Sequence, residues 1–381
     1  MRILYLIDPN SIHDIKWVSY FSQDKSFSQY FICRDTHKNE QAINTLHDNY
    51  GVFFIGLIKD FSIIRFYRTL LEVVKIRKLI RRYNINLFHI QYAEPNALWC
   101  MFRWYFKIPM VITCRGTDVL KTIPDHFRSN HPVNLLVRPA YKKAFQAADW
   151  ITVTSEAQKK SVIGFSGRKN QIAIIRTGVL IDELKKDTSS YFPNDICKPY
   201  ILFPRYMKPL YNHEFCIKAL SMLPQKVKDS HQMVFIGKES GNMEYQQYIE
   251  KLMLEEVDIS FVFLPKQSQE ALFELYKRAD LIVMTPKSDG SPVTAMEAIA
   301  LKKPVILGPL NYDESIFNGK TCKRLTSWEV SELTDTIIKT LQHSSIYNDD
   351  SENYCDDLDR NKNMKQLKSI YSNLCLQPLN L

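Results

Sequence analysis

Residues 279–308, ADLIVMTPKSDGSPVTAMEAIALKKPVILG, contain the pattern of a strand, a turn, a helix and a second strand in succession. Residues 281–285 form an apolar run of strand length, and a polar turn follows it. Ser291 then occupies the expected N-cap position of a helix, with Pro292 at the first helical position and an almost wholly apolar segment over residues 293–301. A strand, loop and helix in this order place the helix N-terminus beside the carboxyl end of the strand. Anions, and phosphates above all, bind at such places.

Glu297 is the one acidic residue of the predicted helix. An ionised carboxylate in an apolar helix is costly to bury unless hydrogen-bond donors or a positive charge compensate it. A vicinal diol such as a ribose would supply two donors, and a lysine or a backbone amide elsewhere in the fold would serve as well. The helix alone leaves both interpretations open.

The spacing of two acidic residues resembles a motif of a known family. Asp289 and Glu297 are separated by seven residues, with Gly-Ser-Pro after the first and Ala-Ile-Ala after the second. This pattern resembles the donor-binding motif of the retaining glycosyltransferases of family 4, and Asp in place of the usual first Glu resembles the Asp-Gly-x-Pro branch. The resemblance implies that Asp289 and the backbone of Gly290 and Ser291 hold the transferred sugar. It also implies that Glu297 binds the ribose, and that the helix N-terminus at Ser291 and Pro292 faces the diphosphate.

Other donor-binding candidates follow further predicted strands of the second half. The family has an Arg and a Lys that hold the donor diphosphate, and Arg205 matches the Arg, although a surface ion pair is the alternative. The expected Lys position holds Tyr211, so either Lys208, three residues earlier, reaches the phosphates or Arg205 acts more alone. Gly237 closes the next strand in a glycine turn. The resemblance also makes residues 264–266, including Lys266, candidates for holding the nucleotide base.

The first half carries two acceptor-side candidates. Residues 110–118 resemble the family pattern Thr-x-His-Gly-x-Asp, with Arg115 where a His is common. Arg can contact a phosphate through two parallel hydrogen bonds. His13 lies in the loop after the first predicted strand, where many family members have a Gly-Gly turn; a solvated loop histidine is the alternative there.

Positive charge is concentrated in the first half. Residues 1–187 contain 28 Lys and Arg against 16 Asp and Glu, whereas the remainder contains 22 against 25. Residues 59–82 alone hold 8 basic and 2 acidic residues among apolar ones. The asymmetry predicts an anionic partner. For residues 59–82 a solvated helix and an amphipathic surface on anionic lipid both remain open.

Composition excludes several classes. No run of eighteen apolar residues is present, and residues 1–7 resemble a strand rather than a signal peptide, so a cytoplasmic protein is expected, with peripheral attachment at the inner face of the membrane as a further possibility. The eight cysteines lack CxxC pairs and fit cytosolic thiols. The Asp-Leu-Asp at residues 357–359 lies in an acidic tract and is discounted as a metal motif. No metal and no cofactor beyond the donor substrate are expected.

The sequence therefore predicts an α/β protein of the GT-B type, with two Rossmann-like domains whose parallel sheets face a central cleft. Predicted boundaries are 1–185 for an acceptor-side domain, 186–198 for a linker, 199–360 for a nucleotide-sugar domain and 361–381 for a helix packing back on the first domain. The implied function is retaining transfer of a hexose from a UDP- or GDP-linked sugar to a glycan or lipid-linked acceptor, in envelope polysaccharide or lipid-linked glycan synthesis. Three alternatives stay open: a non-catalytic sugar-nucleotide binding protein, an epimerase or phosphorylase on the same fold, and a basic nucleic-acid-binding protein, for which no recognised motif is present.

Overall fold

The computed structural model describes residues 1–187, 189–238, 243–289, 292–342 and 358–376. The chain divides into two compact units. The first comprises Met1–Thr177 together with Asn361–Leu381, and the second comprises Gly178–Arg360. Each unit has its own parallel sheet and its own core.

The first unit is built on a seven-stranded sheet in the order β3-β2-β1-β4-β5-β6-β7, and every pairing is parallel. Its strands are β1 (Arg2–Leu6), β2 (Ser28–Arg34), β3 (Phe53–Ile58), β4 (Leu87–Gln91), β5 (Met110–Thr113), β6 (Trp150–Val153) and β7 (Ile172–Ile174). Its helices are α1 (Ile12–Tyr20), α2 (Glu40–Tyr50), α3 (Phe66–Arg82), α4 (Arg103–Phe106), α5 (Ile123–Arg128), α6 (Pro132–Ala147) and α7 (Glu156–Ser166).

Both faces of this sheet are covered, which explains why its strands are apolar without alternation. Leu4 and Leu6 of β1 enter a core shared with α3 and α6, whereas Ile3 and Tyr5 enter a core shared with α1 and α2. The terminal helix of the chain, which begins at Arg360, also contributes to the second of these cores.

The second unit has a six-stranded parallel sheet in the order β10-β9-β8-β11-β12-β13. Its strands are β8 (Tyr200–Phe203), β9 (Gln232–Lys238), β10 (Phe261–Pro265), β11 (Leu281–Met284), β12 (Val305–Leu307) and β13 (Lys323–Arg324). The helices, continuing along the chain, are α8 (Ile181–Lys185), α9 (His213–Ser221), α10 (Gln225–Ser230), α11 (Met243–Glu256), α12 (Gln269–Arg278), α13 (Val293–Ala300), α14 (Val330–Gln342) and the terminal α15 (Arg360–Leu376).

The predicted α/β architecture with two parallel sheets is confirmed. Residues 178–187 group with the second unit, although sequence reasoning placed the boundary after residue 185. Val179 explains this grouping, because its N–H donates to Leu358 O (2.8 Å) and its carbonyl accepts from Arg360 N (2.9 Å). The cysteines of the described segments are unpaired, in agreement with the expected thiols.

In each sheet the strand order reverses once. The reversal lies between β1 and β4 in the first unit and between β8 and β11 in the second. Loops that leave the carboxyl ends of such strand pairs separate, and the crevice between them is where open parallel sheets bind ligands. None of the helices in the described ranges combines the length and the apolar character needed to cross a bilayer.

Candidate donor and acceptor sites

Arg205 and Asp289 meet at the reversal point of the second sheet. Arg205 follows β8 and Asp289 follows β11, and these strands are neighbours. The Arg205 guanidinium donates from Nη2 to Asp289 Oδ2. The two side chains are 20% and 21% exposed, so the ion pair is shielded yet open to a ligand on one side. The sequence placed both residues in the donor site, and the structure brings them into direct contact.

Two residues next to Arg205 hold it in place. The Arg205 guanidinium lies over the ring of Tyr211, 5.1 Å from its centroid. His213 is buried, and its Nε2 lies 3.3 Å from the carbonyl oxygen of Arg205. Burial lowers the pKa of His213 to about 4, so the ring is neutral at neutral pH and donates from Nε2 to that carbonyl. Among the described residues Arg205 Nε has no hydrogen-bond partner, which leaves one N–H for another acceptor.

Helix α13 begins one residue later than predicted. Pro292 has an extended ψ of 112° and is the N-cap, so Val293 is the first helical residue, whereas the sequence put Ser291 at the N-cap and Pro292 inside the helix. The Pro292 carbonyl accepts from the N–H groups of Ala295 and Met296, each at 3.1 Å. Gly290 and Ser291, both predicted donor-binding residues, lie outside the described residues.

Glu297 lies on the second turn of α13 and is partly exposed. Its charge acts on two buried neighbours. Burial raises the pKa of Tyr276 well above its usual range, and the Glu297 carboxylate adds to that effect. Burial lowers the pKa of Arg360, and the Glu297 carboxylate opposes that change. The structure thus supplies a cation for Glu297 that the sequence did not indicate.

Tyr312 is a further member of this site that sequence reasoning missed. It lies in the loop after β12, and its hydroxyl is buried without a hydrogen-bond partner among the described residues. Burial raises the pKa of Tyr312, the nearby Asp289 carboxylate raises it further, and Arg205 opposes the shift. A tyrosine in a loop between two strands carries no sequence signal that separates it from a core residue.

The remaining donor candidates occupy the same edge of the sheet. Lys208 is exposed and precedes a 3₁₀ turn, Pro209–Tyr211. Gly237 lies near the end of β9 with a φ of 96°, which favours glycine. Lys266 is exposed directly after β10. Because all strands of this sheet are parallel, Lys208 and Lys266 follow carboxyl ends at the same edge as Arg205 and Asp289, and Gly237 lies within the carboxyl-terminal end of its strand. Their predicted contacts with a donor stay predictions.

The first unit has a cavity of about 420 Å³ at the corresponding edge of its own sheet. Residues after β1, β4 and β5 line it, and both predicted acceptor-side residues, His13 and Arg115, are among them. Arg115 is a partly buried cation, with 11% of its side chain exposed; its Nη2 lies 2.9 Å from Asp14 Oδ1, and its guanidinium lies 4.9 Å from the centroid of the Trp17 ring. His13 is exposed in the first turn of α1.

Asp14 is the cavity residue that the sequence gave no reason to select. Burial raises the pKa of its carboxyl, and the positive charge of Arg115 opposes that shift. Asp118, the acid of the 110–118 pattern, has a structural role. Its carboxylate accepts hydrogen bonds from the backbone N–H groups of Ala93, Arg115, Gly116 and Val119. The pattern thus combines one loop-fixing acid with one cavity-lining cation.

No cluster of three or more His, Cys, Asp or Glu side chains with metal-binding geometry occurs within the described segments. Asp357 of the discounted Asp-Leu-Asp tract lies outside them.

Comparison with known proteins gives two matches to family signatures. Residues 192–353 match the glycosyl transferases group 1, and residues 30–183 match the glycosyltransferase family 4. The D-inositol 3-phosphate glycosyltransferase of Mycolicibacterium smegmatis is 23% identical over 264 residues, which are 67% of this chain and 59% of that protein. The chain therefore spans about three fifths of the length of that relative.

Similar solved structures cover nearly the whole chain. A glycosyltransferase from Rickettsia africae matches with a TM-score of 0.75 at 15% identity, over 99% of each chain. HepE from Anabaena in complex with UDP matches with a TM-score of 0.73 at 16% identity, over 98% of this chain and 100% of that one. Its complex with UDP-glucose matches with a TM-score of 0.69. At these identities the likeness establishes the shared GT-B fold. The two adjoining family signatures show that the chain belongs to the group 1, family 4 glycosyltransferases.

Proposed function

We propose that this protein transfers a hexose from a UDP- or GDP-linked sugar to an acceptor hydroxyl, with retention at the anomeric carbon and without a metal ion. The observation that carries the proposal is the Arg205–Asp289 ion pair at the reversal point of the second sheet. A cation and an anion that lie side by side and are each about one fifth exposed can bind the phosphates and the sugar hydroxyls of a sugar diphosphate, respectively. HepE, which shares the fold, was crystallised with UDP and with UDP-glucose, and this supports a nucleotide-sugar donor.

Donor binding would exchange partners within this pair. The diphosphate competes with Asp289 for the Arg205 guanidinium, and the released carboxylate accepts hydroxyl groups of the hexose. We assign the ribose diol to Glu297, and the diphosphate and the transferred sugar to the contacts that the sequence predicts for Gly290, Ser291 and Pro292. Lys208, Gly237 and Lys266 complete the donor contacts from the neighbouring strand ends.

Charge stabilisation would drive the chemical step. The bond between the anomeric carbon and the phosphate oxygen breaks, the bond from that carbon to the acceptor oxygen forms, and the acceptor proton passes to a donor phosphate oxygen. Negative charge grows on the diphosphate during this step. A preorganised cation is worth most where charge develops in the transition state, which assigns Arg205 a catalytic role without a metal.

The acceptor would bind at the first unit, where His13 and Arg115 line the 420 Å³ cavity. A cavity of this volume accommodates a sugar ring with its substituents. The excess of positive charge in residues 1–187 favours an acceptor held at an anionic surface, so we propose a glycan or lipid-linked acceptor of the cell envelope. Such an enzyme would work at the cytoplasmic face of the membrane.

A thermal-shift screen with UDP- and GDP-linked hexoses tests the donor. A true donor at about 100 times its Kd stabilises the fold by roughly 2.7 kcal/mol through mass action. Arg205→Ala should reduce the shift only in part, because one diphosphate contact is lost, while Arg278→Ala should retain it in full, because Arg278 ends α12 at the opposite edge of the sheet. Product formation from a labelled donor should persist in EDTA.

The same assays separate the alternatives. A sugar-nucleotide binding protein without activity would show the shift but form no product, not even slow hydrolysis of the donor. A nucleic-acid-binding protein would show no donor shift and would retard duplex DNA or RNA in a salt-dependent manner. A strict Mg²⁺ or Mn²⁺ requirement would contradict the metal-free mechanism.

A further inference from the structure

Helix α3 has apolar side chains on the face that packs against the sheet and also on the opposite, exposed face. Its inner face carries Thr69, Val73, Ile76 and Ile80, which are buried at helical spacing against the sheet. That face alone satisfies the packing of a surface helix. Apolar residues on the opposite face therefore need another explanation.

The opposite face is one continuous stripe. Tyr67, Leu71, Val74, Lys78 and Arg81 follow one another at intervals of four and three residues, and we call them the outer stripe of α3. Tyr67, Leu71 and Val74 are 62%, 67% and 41% exposed. The amino-terminal half of the stripe is thus apolar and the carboxyl-terminal half is basic.

Flanking side chains extend both halves. Phe66 and Leu70 are exposed beside the apolar half, and Arg82 is exposed beside the basic half. Helix α4 joins α3 through Arg77, which donates to the carbonyl oxygen of Phe106, and α4 carries the exposed Trp104. The apolar surface is therefore wider than the stripe itself.

The basic residues in the carboxyl-terminal half of α3 differ in whether their side chains are engaged within the protein. Arg77 is partly buried by its bond to Phe106, and Lys75 Nζ lies 2.6 Å from the carbonyl oxygen of Leu57. Lys78 and Arg81 are exposed and have no hydrogen bond or ion pair to the described part of the chain, and Arg82 lies 5.6 Å from the ring of Tyr83. In the carboxyl-terminal half of α3, Lys78, Arg81 and Arg82 are therefore the cations available to a partner.

We propose that the outer stripe of α3 docks the protein on an anionic phospholipid surface. Lys78, Arg81 and Arg82 face the lipid phosphates, and Tyr67, Leu71 and Val74 enter the boundary between headgroups and acyl chains. The combination selects this partner, because nucleic acid would use the cations and leave Leu71 and Tyr67 in water, whereas a membrane surface uses both. The docking does not depend on the donor site, so the membrane proposal and the proposed glycosyl transfer can each be refuted independently of the other.

Vesicle flotation with the full chain tests the proposal. We expect binding to vesicles of phosphatidylcholine with phosphatidylglycerol and none to phosphatidylcholine alone. Salt should weaken it, since exposed charges are screened within about a Debye length. The triple variant Lys78→Gln, Arg81→Gln, Arg82→Gln should lower the affinity by roughly a factor of ten or more.

Two further variants separate the contributions. Leu71→Gln should weaken vesicle binding with the charge unchanged, because it removes an inserting side chain. The matched control Lys218→Gln, Lys226→Gln, Lys339→Gln removes the same charge from exposed positions in the second unit and should bind as the wild type does. All three replace exposed residues, and unchanged thermal melting verifies their folding.

Three results would overturn the inference. Equal flotation with anionic and neutral vesicles would remove the charge argument. Wild-type binding by both α3 variants would place the membrane contact elsewhere. Absence of flotation together with charge-dependent retardation of duplex DNA would assign the basic half to nucleic acid.

Discussion

At the scale of single residues, Arg205 should affect turnover more than donor affinity. Its guanidinium lies over the Tyr211 ring and its backbone carbonyl accepts from His213 Nε2, and both contacts remain when the diphosphate replaces Asp289, so its orientation is kept in the complex. A preorganised cation stabilises growing charge, and Arg205→Ala should lower kcat by roughly 10² to 10³. Steady-state kinetics should show a smaller rise in the apparent donor constant. A variant that loses only affinity would reduce Arg205 to a binding residue.

Glu297 has two explanations that its variants distinguish. If it binds the ribose, Glu297→Ala should weaken donor affinity by about 1.5–3 kcal/mol, the range for hydrogen bonds to a charged group. If the Glu297 carboxylate chiefly compensates the positive charge of Arg360, Glu297→Ala should destabilise the fold and leave donor affinity unchanged. Adding Arg360→Met should then restore stability. Calorimetric titration with the donor and urea unfolding on the same variants separate these outcomes.

His213 should make stability fall as the solution becomes acidic. Its pKa is near 4 in the folded protein and about 6.5 when unfolded, so between these values only the unfolded chain is protonated. Stability should therefore decrease as pH falls from about 6.5 towards 4, by up to about 3 kcal/mol. His213→Gln, which cannot titrate, should show a shallower pH dependence in urea unfolding. Parallel curves for wild type and variant would contradict the assignment.

At the scale of elements, the local sequence predicts the strands well. The apolar run before Asp289 became β11, and the segment after Pro292 became α13. The shifted helix start has a local cause, since an extended Pro292 serves as the cap. Arg360 and Tyr312 could not be found this way, because chain segments remote in sequence bring them to Glu297 and Asp289.

The crossing of residues 178–179 with 358–360 depends on a glycine. Gly178 has a φ of 61°, and a Cβ built there would lie 2.6 Å from Leu358 O and 2.9 Å from Arg360 N. Gly178→Ala should therefore destabilise the protein by about 2 kcal/mol or more. Gly164, inside α7, has open space around it, and Gly164→Ala should stabilise by about 0.5–1 kcal/mol. Urea unfolding of the two variants measures both changes in stability, and equal changes would contradict the role assigned to Gly178.

At the scale of the whole molecule, the first unit is discontinuous in sequence. Met364, Leu367, Ile370 and Tyr371 of α15 are buried in the core that Ile3, Tyr5 and Trp17 share. Tyr371 also bonds through its hydroxyl to His89 Nδ1 at 2.5 Å, which ties the helix to β4. The first unit thus cannot complete its core until the end of the chain has been added, whereas the second unit contains both of its own cores in one continuous segment.

Leu367→Ala should therefore act on one unit. The side chain is fully buried, and its truncation should cost about 2–5 kcal/mol. Tryptophan fluorescence should report this loss of stability mainly for the first unit. Four of the five tryptophans, including Trp17 in the affected core, lie in that unit. Stabilisation by a nucleotide should persist in the variant, because the donor residues belong to the second unit. A variant that loses the nucleotide-induced shift while its fluorescence transition stays unchanged would show that the terminal helix supports the second unit instead.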